Sequence, residues 1–217
     1  MGAVLGRNAR IAVLTICLIF LAVFARAQSP VTDLPAQPNG NTAVNTVKFL
    51  AGGALALAMH ESGHLMFDAA FGAEPRIKRV QFGPFPFFAI AHRSDLSPRR
   101  EFSVSSAGFW VQNGSSEWLL TRHPGLRSEH APASKGILAF NVLTSIGYGT
   151  VAFARAGPFE RDTRGMADAI RLDERAIGAV VMTPAVFDAI RYFKPEARWA
   201  VWASRIAKIG SVLLVLK

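Results

Sequence analysis

Apolar runs alternate with short polar and basic stretches along most of this chain. Such runs predict helices that cross a membrane, joined by loops outside it. After an N-terminal run, the clearest are Val44 to Phe71, Ser103 to Leu120 and Gly136 to Ala154. Ser103 to Leu120 is only moderately hydrophobic, but its Ser, Ala and Gly suit close packing between membrane helices. Two further apolar segments follow. The first, 176–193, contains Pro184 and Asp188 and reads as a kinked or partly interfacial helix. The second, from Arg198 onward, carries Arg205 and Lys208 on one helical face. It is either a weak span or a surface helix with its charges toward headgroups. Between the first two spans, "RIKRVQFGPFPFFAIAHRS" is rich in Val, Ile and Phe and broken by Gly83, Pro84 and Pro86. That pattern predicts short strands, a hairpin or re-entrant element, instead of a helix. The fold class expected is therefore mainly α, a polytopic membrane helix bundle with one small β element.

The first 27 residues read as a signal peptide. Arg7 and Arg10 precede the apolar "IAVLTICLIFLAVFA", and Ala25 and Ala27 offer a cleavage site before Gln28. An uncleaved N-terminal membrane helix is the alternative. Residues 28–43 read as an exposed Pro- and Asn-rich linker, and 44–217 as one membrane-embedded domain.

Composition sharpens this picture. Hydrophobic residues make up 51% of the 217, charged residues 18%, and the mean hydropathy is +0.27. A greasy soluble domain is the competing class, but regular alternation with basic loops favours the membrane. A formal charge of +9 could indicate nucleic acid. The basic residues are spread over loops with no stripe or binding motif, so no nucleic-acid partner is expected. Anionic lipid is the partner such loops meet. The single cysteine, Cys17, excludes an intrachain disulfide framework and a cysteine zinc site. Arg76, Lys78, Arg79, Arg93, Arg99 and Arg100 crowd the 76–100 loop, and 155–175 is also Arg-rich, whereas 121–135 is poorer. Basic loops stay in the cytoplasm. The first span should thus run inward, in a multi-pass protein of a bacterial inner membrane.

The chemistry lies in "ALALAMHESGHLMF". Ionisable groups inside a membrane helix are costly, so three together mark a functional site. His60 and His64, four residues apart, share a helix face and can point at one metal ion, with Glu61 adjacent. Zinc suits this ligand set: three protein ligands and an open position make a catalytic site. Glu61 is the candidate general base for the bound water. Buried histidines that only pack helices, or an iron site, are the competing readings. The third ligand is open among Asp162, Asp168, Glu117 and Asp68. Asp162, just past the 136–154 span at the end toward which His64 points, fits the topology best. Asp168 is the alternative, and a solvated charge beside Arg161 and Arg164 is the competing reading of Asp162.

"HESGHLMFDAAFGAEP", then "FGPFPFF", "SPRREFSVSSAG", and a later span with Asn141 and a downstream Asp-x-x-Gly resemble the site-2 protease family of intramembrane zinc metalloproteases. The resemblance spans roughly residues 44–170 and is sharp only at H-E-x-G-H. It implies zinc held by His60, His64 and Asp162, Glu61 as general base, and Ala107–Gly108 as the Ala-Gly pair opening the next helix. The substrate implied is a membrane protein or peptide. Here Asp162 is followed by Thr-Arg-Gly where the family has Gly directly, and the preceding Pro and Leu are missing, so the chain resembles a minimal, divergent member. The chain has no room for a PDZ-type module. A catalytically inactive scaffold and a metal-handling membrane protein are the rival functions. Asn141 either bonds substrate backbone or bridges two helices. The aromatic run 82–88 either receives an extended substrate by strand addition or packs on lipid. His92, His123 and His130 read as exposed loop histidines.

Overall fold

A computed structural model describes residues 41–82, 85–93 and 95–216. The expected signal peptide and nearly all of the linker lie outside the described residues. The elements run α1 (Thr42–Phe71), β1 (Arg76–Phe82), β2 (Phe85–Ala91), α2 (Pro98–Arg122), α3 (Pro132–Ala154), α4 (Asp162–Ile170), α5 (Glu174–Phe193) and α6 (Arg198–Leu213), closed by a 3-10 turn at Leu214–Leu216. α1, α3, α5 and α6 with its terminal turn are long and apolar enough to cross a membrane. The protein is a mainly helical membrane bundle with one antiparallel hairpin, registered from Arg76 opposite Ala91 to Phe82 opposite Phe85.

Local chemistry sets the helix ends. The Asn41 side chain accepts the Ala43 N–H at 3.0 Å and starts α1. Gly72, at φ 65°, ends it in the left-handed conformation that costs glycine least. Pro98 and Pro132 open α2 and α3, where a missing N–H costs nothing. Pro184 lies inside α5, which continues past it to Phe193.

α2 is the central helix, although its composition is too polar for an obvious span. Ser103, Ser105, Ser106, Ala107 and Gly108 are all buried. Ser103 and Ser115 donate to carbonyls of their own helix at 2.8 and 3.0 Å, and Ser106 does the same to Phe102. Hydroxyls satisfied in this way can sit in a bundle interior. Small residues let the backbones approach: a Cβ on Gly63 would stand 2.8 Å from the Ala107 carbonyl oxygen. Gly149 of α3 and Gly178 of α5 face each other equally closely.

Two segments gain definition. The charged 155–175 segment, to which the pattern assigns no element, contains α4. This short helix buries Met166 and Ala167 with Phe102, Phe109 and Ile177, so a greasy side outweighs its charged one. Arg205 and Lys208 of α6 are engaged within the bundle. They turn inward to Glu117 of α2 at 2.8 and 3.0 Å, and Lys208 also meets Asp188 of α5 at 2.8 Å. Asp188 is buried and Glu117 partly so, and pairing with them lowers the cost of placing cations on an apolar helix.

Candidate metal centre

The α1 helix carries His60 and His64 one turn apart, and both are buried, at 2% and 6% exposure. The loop after α3 returns to the same end of the bundle and starts α4 at Asp162. Three ligand atoms converge there. His60 Nε2 lies 3.2 Å from His64 Nε2 and 3.4 Å from Asp162 Oδ2, and His64 Nε2 lies 3.6 Å from the same oxygen. A tetrahedral zinc ion with ligands at about 2.0–2.1 Å keeps any two of them roughly 3.4 Å apart. The three observed edges bracket that value, so His60, His64 and Asp162 could hold a metal ion.

Each ligand is held by its surroundings. His64 Nδ1 donates to the Val104 carbonyl of α2 at 2.7 Å, which leaves the Nε2 lone pair facing the other two ligands. The His60 ring lies directly over Gly108, where any Cβ would collide with it. Phe109 meets that ring edge-on at 5.5 Å between centroids. His60 Nδ1 is buried with no hydrogen-bond partner among the described residues, so on that side packing orients the ring. Asp162 sits between two residues that grip Glu174 at the start of α5. Arg161 forms a two-pronged pair with Glu174 at 2.6 Å, and the Thr163 hydroxyl donates to the same carboxylate at 2.9 Å. Gly165, the glycine of Asp-x-x-Gly, lets α4 press against Ser105 of α2.

The electrostatics of Asp162 follow from this arrangement. Burial alone would raise its carboxyl. The charge on His64 and hydrogen bonds with both histidines outweigh burial and hold it below the usual carboxylate range. Glu61 follows His60 and feels the charges of His60, His64 and Asp162. It makes no hydrogen bond or ion pair among the described residues, so its carboxylate is uncommitted. Tyr148 of α3, unnoticed in the sequence, closes the site. Its ring stands 6.4 Å from His60 and 5.1 Å from Phe109. A signal existed: Asn141, Ser145 and Tyr148 are spaced i, i+4, i+7, a polar face on an apolar helix.

The other candidates lie elsewhere. Asp168 pairs with Arg164 at 3.5 Å, and its side chain is 71% exposed. Glu117 belongs to the α2–α5–α6 ion cluster. Asp68 is fully buried at the end of α1, with His92 Nδ1 3.6 Å from its carboxylate. His92 is thus not the exposed loop residue expected: Glu101 also holds its Nε2 at 2.9 Å, tying the end of β2 to α1 and α2. Asn141 bridges helices, donating to Ser115 and Ser116 hydroxyls at 2.8 and 3.0 Å and to the Gln112 carbonyl at 3.3 Å.

No protein-family model, curated protein or solved structure matches this chain.

Proposed function

We propose that the protein is a zinc-dependent intramembrane endopeptidase acting on membrane-protein substrates, with its hairpin end in the cytoplasm of a bacterial inner membrane. The observation that carries this reading is the convergence of His60, His64 and Asp162 at tetrahedral spacing beside an uncommitted Glu61, among helices apolar enough to span a bilayer. Arginines gathered in 76–100 and 155–175 support the orientation.

A zinc ion held there supplies Lewis acidity, lowering the pKa of bound water toward neutrality and polarising a scissile carbonyl. Glu61 accepts the proton of the attacking water and returns it to the leaving amine. Tyr148, whose ring stands 6.4 Å from that of His60, can donate to the oxygen that becomes negative as the carbonyl is attacked. Phe109 and Tyr148 wall the His60 side of the site and limit the water around it. A substrate helix must unwind first, because its peptide groups are bonded to one another.

The inactive-scaffold reading requires a missing third ligand, and Asp162 stands at ligand distance. The metal-handling reading requires a polar path. Its strongest observation is the buried charge on α2, α5 and α6, but Glu117, Asp188, Arg191 and Lys208 are engaged in ion pairs with one another. The test is cleavage of a single-span substrate in proteoliposomes by wild type and Glu61→Gln. The variant should lose at least about 100-fold in rate while keeping its metal. Unchanged cleavage by Glu61→Gln refutes the peptidase mechanism.

A further inference from the structure

Away from the metal centre, a groove of about 780 Å³ runs between α2 and α6. Both walls change character in the same direction. On α2 the groove begins at Arg122 and Thr121 and ends at Trp110, twelve positions earlier. That separation is about 18 Å along a helix, close to the roughly 15 Å of hydrocarbon in one leaflet. On α6 it begins at Arg205 and Lys208 and continues over Ile209, Val212 and Leu213, the i, i+3, i+4, i+7, i+8 face of one helix. These three apolar residues are 60%, 43% and 55% exposed. One end of the groove is charged, and the other is greasy.

The charged end is unbalanced. Arg191, Arg205 and Lys208 converge on only two carboxylates, Glu117 and Asp188, leaving one positive charge in excess. Arg205, which lines the groove, stays 38% exposed. Arg122, at the rim, has no ion pair or hydrogen bond among the described residues and adds a second positive charge. Excess charge against a membrane interior is costly unless an anion meets it. An occupant must therefore have an anionic head and an apolar tail of one leaflet's length.

We propose that this groove binds one anionic phospholipid, its phosphate at Arg122 and Arg205 and an acyl chain along Trp118, Ile209 and Val212 toward Trp110. The site is independent of the metal chemistry. None of its lining residues is a candidate metal ligand, and its charged end lies at the C-terminal end of α2.

Native mass spectrometry of the purified full chain, with phosphatidylglycerol or phosphatidylcholine of identical acyl chains added, tests this. Phosphatidylglycerol should be retained at least about fivefold better, as roughly 1 kcal/mol per neutralised basic residue implies. Arg122→Gln, which removes no internal contact, should cut that preference about fivefold. Ile209→Trp, which fills the groove without altering charge, should reduce retention of both lipids, with unfolding midpoints confirming that both variants fold. Equal retention of the two lipids overturns the proposal. So does a preference that neither substitution alters, or phosphatidylglycerol displaced by millimolar inorganic phosphate, which would mean that the head alone is recognised. A dimer abolished by Ile209→Trp, with no lipid preference, would assign the groove to a second copy instead.

Discussion

In the proposed peptidase His60 and His64 hold the metal and Glu61 reacts, and substitutions should separate the two roles. Glu61 touches none of the ligand contacts, so Glu61→Gln removes activity and leaves metal binding intact. Asp162→Asn removes a charged ligand and should lose metal, whereas Asp168→Asn, whose side chain faces solvent beside Arg164, should keep both metal and activity. Elemental analysis of the two asparagine variants decides between the aspartates. Gly108→Ala is a test of packing. The added methyl group must displace the His60 ring, and metal affinity should fall about 10- to 100-fold, as when a ligand's support is lost. The histidine pair was legible in the sequence because its information is local: two ligands one turn apart need only a helix. Asp162 was legible only through topology, since it lies about a hundred residues away. Tyr148 was missed because an aromatic residue in an apolar span looks like packing until its neighbours are known.

At the scale of elements, α4 is the decisive piece and the one the pattern did not reveal. It is only nine residues long, and its charges resemble those of a loop. It is fixed instead by non-local contacts, with Met166 in the core and the Arg161–Glu174–Thr163 brace at its start. Glu174→Gln weakens that brace without touching the metal ligands. Zinc affinity measured by chelator competition should drop about 10-fold or more, while the helical content stays unchanged. The hairpin is fastened by His92 between Asp68 of α1 and Glu101 of α2. The hydrogen bond that His92 donates to Glu101 raises its pKa, burial works against this, and the charges of Glu101 and Asp68 outweigh the nearby His64. A group whose folded pKa is raised stabilises fully below its unfolded value of about 6.5 and loses that contribution as pH rises through the folded value. Hydrogen exchange at the Arg93 amide, bonded to the Ala73 carbonyl at 3.0 Å, should therefore show less protection at alkaline pH after correction for intrinsic rates. His92→Gln should remove that pH dependence.

Across the whole molecule, hydropathy gave the right class and most spans, because lipid imposes the same demand on every helix. It was least decisive at α2 and α6, for one shared reason. A central helix surrounded by others can be polar if its serines bond their own backbone, and a charged helix can span if partners wait inside. Neither condition is visible in one segment read alone. Glu117 is the hub of the α2–α5–α6 cluster, meeting Arg191, Arg205 and Lys208. Glu117→Gln leaves buried cations short of a partner and should cost about 3–5 kcal/mol in detergent unfolding, well away from the metal centre.

The most direct test of the central claim is the zinc content of purified full-length protein after dialysis against metal-free buffer. The geometry of His60, His64 and Asp162 predicts about one zinc per chain, as structural affinity at three protein ligands implies. That zinc should be retained in Glu61→Gln and lost in His64→Ala. Protein that holds no zinc even when refilled with it, or that holds as much in His64→Ala as in wild type, contradicts the account.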